Sequence, residues 1–348
     1  MAYSTIPKGS LYMNPKIYTG TGSSNAITGV GFQPDWTWIK RRNGTNGHNL
    51  YDVIRGVTKT INSATTAAES TSGSGLTAFG TDGFTVVSDG DVNGSGGTYV
   101  SWNWLANGTG SANTDGSISS TVSANTTSGF SIVKYTGTGA DMTVGHGLNA
   151  VPKMIIVKAL DTGTDPWWVY HASLGNSAKL RLNGTQASQT GADYIWNQTT
   201  PTSSVFSLDG TNNGSNANGN DFIAYCFADV QGFSKFGSYT GNGNADGTFV
   251  YTGFKPAFVL IKNSSAVTDW CLRDNKRSPI NVTQHTLFPN TTDTESYGGT
   301  SYDIDFLSNG FKIRSTSSRF NTSSNNYIYM ALAEAPLVGT NNTPCIAR

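Results

Sequence analysis

The residue types that most often catalyse reactions are few and scattered in this chain. The sequence contains neither a Gly-x-Ser-x-Gly turn, nor a His-Glu-x-x-His pair, nor a P-loop. Asp303 and Asp305 alternate on one face of a predicted strand, as a carboxylate pair of a glycoside hydrolase could, but turn or surface aspartates are the favoured interpretation. We therefore predict a non-enzymatic protein with no catalytic residues. The four histidines are spread over the chain at His48, His146, His171 and His285.

Cofactor and metal sites are not predicted either. The three cysteines, Cys226, Cys271 and Cys345, have no regular spacing, so neither a disulfide framework nor a Cys-x-x-Cys zinc pair is indicated. We expect these thiols to pack as small apolar side chains in a protein made in a reducing cytosol.

Three lysines recur at one position of a repeated pattern. Lys40, Lys158 and Lys262 each follow a proline by six residues, at the exit of an apolar stretch. One interpretation makes each amine a contact for an anionic sugar or for a carboxylate of a partner. The favoured interpretation is a strand-end lysine whose methylenes lie on apolar surface while the amine stays in water.

An Asp-x-x-Arg spacing occurs twice, as Asp52 with Arg55 and as Asp274 with Arg277. The corresponding region between these two carries Trp168, Tyr170 and His171 instead. A bidentate Asp–Arg pair can brace a loop, and a free carboxylate there could meet a sugar hydroxyl or a metal ion. Structural bracing is the favoured prediction.

Around these residues the sequence repeats three ordered blocks. The first block is a Tyr-Thr-Gly-x-Gly turn, the second runs from a proline to the recurring lysine, and the third is an aromatic strand. The blocks start at Tyr18, Pro34 and Tyr99, at Tyr135, Pro152 and Phe222, and at Tyr239, Pro256 and Tyr327.

The third block predicts its own orientation, because successive side chains of a strand point to opposite faces. One face is large and apolar in every copy and should face a core. The other face carries smaller residues, such as Ser101 and Ala224, which suits a neighbouring layer or a wet surface. Trp102, Tyr225 and Met330 are predicted to occupy equivalent core positions.

The composition agrees with short strands and tight turns. Charged residues make up 13%, glycines number 41, and aromatic residues reach 11%. Gly and Asn turns between aromatic strands are typical of β-proteins. We predict an all-β chain of three tandem β-sandwich repeats, each with about seven or more short strands.

Block positions set the predicted boundaries. Residues 18–106, 130–236 and 237–336, called here the first, second and third segments, form the repeats. Residues 107–129 are rich in Gly, Ser, Thr and Asn, and predict a linker. Residues 337–348 form a tail. Residues 1–17 form an arm outside the repeats, and its apolar Ile6 and Leu11 predict packing on a neighbouring subunit or on another copy of the chain.

Charge and hydropathy limit the partners. With 22 basic and 22 acidic residues and no Lys/Arg block, no nucleic-acid partner is predicted. The first residues lack the features of a secretion signal, and no apolar run approaches the ~20 residues needed to cross a bilayer, so neither export nor membrane insertion is expected. Candidate binding residues lie in polar loops that differ among the segments, namely Asn43, Asn46, His48, Asp161, Asp165, Ser264 and Asp269.

Several of these stretches resemble a domain repeated in structural proteins of marine tailed phages, including cyanophages and pelagiphages. The resemblance rests on residues 31–40, 49–56, 98–104, 222–228 and 237–243, and it extends over roughly residues 5–336. It implies a sandwich of the concanavalin-like or jelly-roll type, assembly in the bacterial cytoplasm and a place on the virion. It supplies no catalytic residues.

Three functions are compatible with this sequence. The leading one is a tail fibre or tail-tip adhesin that contacts a host surface glycan or protein and is joined to other virion proteins. The resemblance to phage fibres implies a homo-oligomer, with a trimer as the expected form. The second is a capsid decoration or head-fibre protein. The third, from a different class, is a depolymerase that cuts host glycans.

Overall fold

The computed structural model describes residues 3–191, 195–338 and 344–345 of the chain. Strands take up 44% of it and helices 4%, so the predicted all-β class is confirmed. No helix in these ranges is long and apolar enough to cross a membrane.

The strands fall into three groups that follow the three segments. The first group is β1 (Met13–Thr19), β2 (Asn25–Ile27), β3 (Trp36–Arg41), β4 (His48–Asp52), β5 (Lys59–Asn62), β6 (Ser70–Thr71), β7 (Leu76–Gly80), β8 (Gly83–Val86) and β9 (Thr98–Trp104). The second is β10 (Ser111–Asn113), β11 (Ser120–Asn125), β12 (Phe130–Thr136), β13 (Met142–Gly145), β14 (Pro152–Ala159), β15 (Trp168–His171), β16 (Ala178–Arg181), β17 (Gln189–Thr190), β18 (Val205–Leu208) and β19 (Asp221–Ala228). The third is β20 (Ser234–Thr240), β21 (Phe249–Tyr251), β22 (Phe254–Asn263), β23 (Cys271–Asp274), β24 (His285–Thr286), β25 (Ser296–Tyr297), β26 (Ile304–Leu307), β27 (Gly310–Ile313) and β28 (Asn326–Pro336).

Within the described residues, helical structure is confined to single turns. Two are α-helical, α1 (Gly90–Asn93) and α2 (Asn213–Asn216), and two are 3₁₀ turns, Gly9–Leu11 and Gly299–Tyr302.

In each segment the strand of the third block, called here the closing strand, lies inside the larger sheet. The sheets run β1-β9-β3-β4-β5-β6, β10-β11-β12-β19-β14-β15-β16-β17 and β20-β28-β22-β23. The closing strands β9, β19 and β28 are therefore each hydrogen-bonded on both sides, to the strand of the first block and to the strand of the second. A smaller sheet accompanies each larger one: β2-β8-β7, β13-β18 and β21-β27-β26.

The repeated Tyr-Thr-Gly-x-Gly turn is held by a buried asparagine. Asn93 accepts a hydrogen bond from the Thr21 backbone N–H at 3.0 Å, and Asn216 and Asn321 do the same for Thr138 and Asn242 at 2.8 and 2.9 Å. The last glycine of each turn has a φ near +70°, a conformation that favours glycine. All three asparagines are fully buried.

The large apolar faces of the closing strands pack together in one central core shared by the three segments. Trp36 of the first segment stacks on Tyr225 of the second with ring centroids 4.3 Å apart. Trp104 meets Phe258 of the third segment at 5.7 Å. Phe227 of β19 meets Phe236 of β20 at 5.9 Å, which joins the large sheet of the second group of strands to that of the third. Trp102, Tyr225 and Met330 all belong to this core.

The smaller face of each closing strand is also buried, against the segment's own small sheet. Ala224 and Cys226 lie in a separate core of the second segment with Phe206 of β18. Of the two sequence-based alternatives for this face, the neighbouring layer is therefore the correct one.

The N-terminal arm differs from its prediction. Strand β1 begins at Met13 and pairs with β9 from Met13 to Thr19, so the end of the arm is the first strand of the first segment. Its earlier part packs on the second and third segments of the same chain: Ser4 donates to the Gln231 carbonyl at 2.9 Å, the Tyr3 hydroxyl donates to the Gly253 carbonyl at 2.8 Å, and Ile6 is buried in the central core. The predicted position on another subunit is thus replaced by an intrachain one; residues 1–2 lie outside the described residues.

The predicted linker over 107–129 is also corrected. It contains β10 and β11, and β11 pairs along its length with β12. The misinterpretation has a physical reason: β11 consists of small Ser, Thr, Ala and Asn side chains around one buried Val122, so its composition resembles a linker while its backbone completes a sheet. In the predicted tail, the Leu337 N–H donates a hydrogen bond to the Gly253 carbonyl. Residues 339–343 and 346–348 of the tail lie outside the described residues.

Replacing Trp102 tests the shared core. Its ring contacts Trp38 within the first segment and Phe258 of the third, and its indole N–H donates to Asp274 at 3.0 Å. We expect Trp102→Ala to lower the free energy of unfolding by roughly 3–5 kcal/mol, as truncation of a large core residue does. Chemical denaturation measures it. The matched control, Tyr297→Ala at a 67% exposed position, should change stability by about 0.5 kcal/mol or less. A change below ~1 kcal/mol for Trp102→Ala would contradict its place in the core.

Candidate functional site

The three recurring lysines lie at the seams between segments, with their side chains fully buried. Each ammonium group donates to a backbone carbonyl of its own segment and to one of a neighbouring segment, so it ties two segments together. Lys40 bonds Gly44 at 3.1 Å and Thr292 of the third segment at 3.2 Å; Lys158 bonds Asp165 at 3.3 Å and Thr66 of the first segment at 3.0 Å; Lys262 bonds Thr268 at 2.5 Å and Thr185 of the second segment at 2.9 Å.

This arrangement corrects the prediction of a strand-end lysine with its amine in water. We call Lys40, Lys158 and Lys262 the seam lysines. Burial lowers the pKa of each seam lysine to about 8, although neighbouring carboxylates such as Asp165 beside Lys158 act in the opposite direction.

The seam contacts close a ring. The lysine of the first segment reaches the third, that of the second reaches the first, and that of the third reaches the second. Backbone hydrogen bonds follow the same cycle, from Glu69 to Leu160, from Ser188 to Ser264 and from Glu295 to Arg42. Each segment therefore contacts both others, and the three seams are equivalent in position.

The two Asp-x-x-Arg pairs lie at two of these seams and are fully buried. Arg55 and Asp52 approach to 2.5 Å, as do Arg277 and Asp274. Each aspartate also accepts a hydrogen bond from the closing strand of another segment: Asp52 from the Tyr225 hydroxyl at 2.8 Å, and Asp274 from the Trp102 indole at 3.0 Å. This geometry fits the predicted bracing role, because each carboxylate joins the loop that follows its own strand to the closing strand of another segment.

The charges of these pairs support one another. Burial by itself would lower the pKa of the Arg55 guanidinium, but the charges of Asp52, Tyr225 and Glu69 and the hydrogen bond to Asp52 together outweigh burial and raise it. For Asp274, burial acts to raise the pKa, and the adjacent Arg277 charge and hydrogen bonds lower it. The pair of Asp274 and Arg277 is therefore ionised at neutral pH. Glu295 extends the second pair, contacting Arg277 at 3.0 Å and Arg42 of the first segment at 2.7 Å.

At the third seam, between the second and third segments, other residues take the places of the aspartate, the arginine and the hydrogen-bond donor. His171 stands where the other segments have the aspartate, Leu174 where they have the arginine, and Met330 where they have the donor. The His171 ring nitrogen instead lies 3.1 Å from the Tyr329 carbonyl of β28. Burial lowers the pKa of His171 to about 4, so the ring is neutral at pH 7. A seam without a buried carboxylate needs neither a counter-charge nor a side-chain donor.

The predicted binding loops surround the seam lysines, and their residues differ in accessibility. Asn43 and Asp161 are exposed, whereas Asn46, Asp165 and Asp269 are half-buried and bonded within the chain, Asp269 to Arg319 at 2.7 Å. His48 and Ser264 are buried, which corrects their assignment as ligand contacts. His48 accepts a hydrogen bond from the Trp38 indole at 2.9 Å and stacks on Trp102.

The exposed tips of these loops are Thr45, Thr164 and Val267, the last 72% exposed. The differences in sequence among the segments predicted which loops could bind a partner, but not which residues of those loops are the most exposed. Sequence reasoning also missed the buried asparagines. Their regular spacing could have identified them, because Asn93, Asn216 and Asn321 each precede the third block by six residues.

The remaining candidates for chemistry are engaged in structural contacts. Asp303 accepts a hydrogen bond from Gln284 at 2.9 Å, and Asp305 lies 3.5 Å from Arg314. His285 contacts the Ser278 hydroxyl at 3.1 Å. Among the described residues, no group of three or more His, Cys, Asp or Glu side chains could hold a metal ion. Every tryptophan is buried, so an exposed indole is not offered to a sugar.

The sequence matches a known protein family over most of its length. A family model described as "Domain of unknown function (DUF7483)" matches residues 8–336. The chain belongs to this family. One match runs through all three segments, in line with the closed ring that they form. A search of curated proteins gives no match to the chain.

The seam lysines make stability depend on pH. Their pKa of about 8 in the folded chain lies below the ~10.4 of an unfolded lysine, so above pH 8 the unfolded chain binds more protons than the folded one. The free energy of unfolding should therefore rise from pH 7 to pH 9, by about 1 kcal/mol per lysine. Chemical denaturation across this window measures the slope.

Single variants assign the slope to its source. Lys40→Met removes one of the three seam lysines and should reduce the rise between pH 7 and pH 9 by about 1 kcal/mol. Lys8→Met at an exposed position should leave the rise unchanged. Burial raises the pKa of Cys271 to about 12, so its thiol, which ionises near pH ~8.5 in the unfolded chain, offsets part of this rise within the window and lowers stability above it. A stability that is constant or falls between pH 7 and pH 9 would contradict the buried amines.

Proposed function

We propose that this DUF7483 chain is a non-enzymatic structural protein of a tailed-phage virion, acting as a tail fibre or tail-tip adhesin. The sequence resemblance to repeated domains of marine phage structural proteins supports the virion. The way in which the chain uses its buried polar groups supports a structural role: lysines, Asp–Arg pairs and aromatic donors all join segments.

The observation that carries the adhesive role is the placement of the loops. Loops 43–48, 161–165 and 264–269 follow equivalent strands of a closed ring, so their tips lie on one rim, called here the loop rim. The seam lysines bond the backbone of these loops, which fixes their position. Three loops held rigidly on one body bind a repeated surface with less loss of entropy than three flexible ones.

The tips favour hydrogen bonding over charge pairing. Thr45 and Thr164 are hydroxyl-bearing and Val267 is apolar, so the rim presents little charge at its most exposed points. Such a surface suits a host glycan or a protein lattice. Binding through it should depend little on salt, because screening weakens charge pairs and leaves neutral hydrogen bonds almost unchanged.

Assembly with other virion proteins, in the host cytoplasm, forms part of the proposal. A homotrimer would place three such rings around a common axis, and contacts of modest strength would then gain avidity by ~10²–10⁴. The ring within one chain does not need other copies to bury its core.

Adsorption of the purified protein tests the proposal. We expect binding to host cells that differs less than about twofold between ~0.1 M and ~1 M salt, because the Debye length falls from ~10 Å to ~3 Å without affecting neutral contacts. Empty capsids are assayed in parallel. Adsorption to capsids alone would make this a decoration or head-fibre protein and would contradict the adhesin.

A triple variant locates the contact. Thr45→Lys, Thr164→Lys and Val267→Lys change the loop tips and leave the seam lysines and their carbonyl partners in place, so adsorption should fall at least about tenfold with no change in unfolding midpoint. The matched control is Thr81→Lys, at an exposed position outside the loop rim. Unchanged adsorption of the triple variant would exclude the loop rim as the binding surface.

A further inference from the structure

Strand β21 presents an open edge with two exposed aromatic rings. It pairs on one side with β27 and forms the edge of the sheet β21-β27-β26. Phe249 and Tyr251 are 43% and 55% exposed, while Val250 between them is buried. The stretch from Thr248 to Thr252 carries no charge and no proline. Protein edges of this kind are usually protected by lysine, proline or a covering segment.

The backbone groups of Phe249 and Tyr251 point away from the sheet. Thr252 donates to Asn309, and Ile313 donates to Thr248, so these residues and Val250 hold the hydrogen bonds to β27. In an antiparallel pair the alternate residues direct their N–H and C=O outward. Within the part of the chain that the structure describes, no backbone hydrogen bond reaches these outward groups of Phe249 and Tyr251.

The equivalent edge in the second segment is occupied. Strand β13 pairs with β18 as β21 pairs with β27, and buried Val144 corresponds to Val250. A preceding stretch of the chain lies along its open side: the Ser117 N–H donates to the Thr143 carbonyl at 3.0 Å, and the Thr143 N–H donates to the Ser117 hydroxyl at 2.9 Å.

The covering stretch is extended and runs parallel to the strand that it covers. Ile118 forms a parallel bridge with Val144, and the Ser120 hydroxyl donates to the Gly145 carbonyl at 3.0 Å. Ile118 also packs against the core of the second segment. Hydroxyl side chains thus bond the outward backbone groups, and an apolar side chain between them covers the core. In this fold, the open edge of a small sheet can therefore pair with one more extended stretch, made of serines and an apolar residue.

We propose that the β21 edge binds an extended segment of another polypeptide, added as a strand parallel to β21, with Ser or Thr residues alternating with an apolar one. Strand addition of this kind gains affinity from main-chain hydrogen bonds and specificity from alternate side chains. The rings of Phe249 and Tyr251 supply the apolar contact that Thr143 and Gly145 lack in the second segment. This interaction is independent of the loop rim.

The surroundings of Tyr251 leave room for the incoming strand to continue. A cavity of about 420 Å³ adjoins it, lined by Tyr3, Thr252 and the Asp229–Lys235 ion pair. The first segment offers a contrast, because the exposed residue of its edge strand β2 is Ala26, which lacks a ring. The proposal therefore assigns binding to β21 and not to β2.

The test uses a synthetic peptide with the sequence of residues 114–122, the stretch that covers β13, and measures amide hydrogen exchange of the full chain by NMR. With peptide at about ten times its Kd, exchange at Phe249 and Tyr251 should slow about tenfold. Exchange at Val250, already bonded to β27, and at Ala26 should not change. The same peptide with proline in place of the residue that corresponds to Ser117 should have no effect, because the Ser117 N–H is the backbone donor to the covered edge and proline has no N–H.

A protein variant completes the test. Phe249→Lys places a charge on the edge and should abolish the protection at Tyr251 with no change in unfolding midpoint, whereas Phe249→Tyr should retain it. If the amides of Phe249 and Tyr251 show no protection at the highest concentration at which the peptide dissolves, the proposal is overturned. Equal protection at Ala26 would overturn it as well. Protection that grows with protein concentration when no peptide is present would show that a second copy of the chain occupies the edge, which also overturns it.

Discussion

The apolar face of each closing strand has no cover within its own segment, and the rest of the structure depends on this constraint. The smaller sheet of each segment covers the opposite face, so Trp102 and Trp104, Tyr225 and Phe227, and Met330 and Leu332 must be buried elsewhere. A sheet with an apolar face has to pack it on another layer. Three segments meet that need together, since each supplies the layer that the next one lacks. The ring is the geometry in which no segment is left with an exposed face.

A shared core of this kind brings backbone groups of different segments together without water, and these groups need partners. The seam lysines supply donors to carbonyls from two segments at a time. The buried carboxylates of Asp52 and Asp274 are compensated by an arginine and by a donor from another segment. Where the donor is missing, at Met330, the carboxylate and the arginine are missing as well. The seams therefore differ in chemistry while each leaves its charges paired, which is the condition for burying them at tolerable cost.

Much of this fold could be predicted from the sequence, because alternation on the closing strand is a local property. The all-β class and the apolar side of Trp102 follow from it. The partner of that side could not be predicted, since alternation identifies a buried face without identifying what covers it. The same limit applies to Lys40: its position at a strand end is equally compatible with a solvated amine and with a carbonyl of another segment. Strand β11 escaped prediction because backbone pairing leaves no mark in a stretch of small polar residues. Within the candidate site, the loops were predicted from their variation, but the burial of His48 and Ser264 depends on contacts that arise only when the ring closes.

The central claim is that the three segments form one cooperative unit, and differential scanning calorimetry tests it most directly. A single unit requires one transition whose van't Hoff enthalpy equals the calorimetric enthalpy, which for the 348-residue chain should be on the order of 240 kcal/mol near 60 °C at ~0.7 kcal/mol per residue. Independent segments would instead give separable transitions, or one broad transition with a van't Hoff enthalpy near a third of the calorimetric value. The shared core predicts the first result, and the second would contradict it.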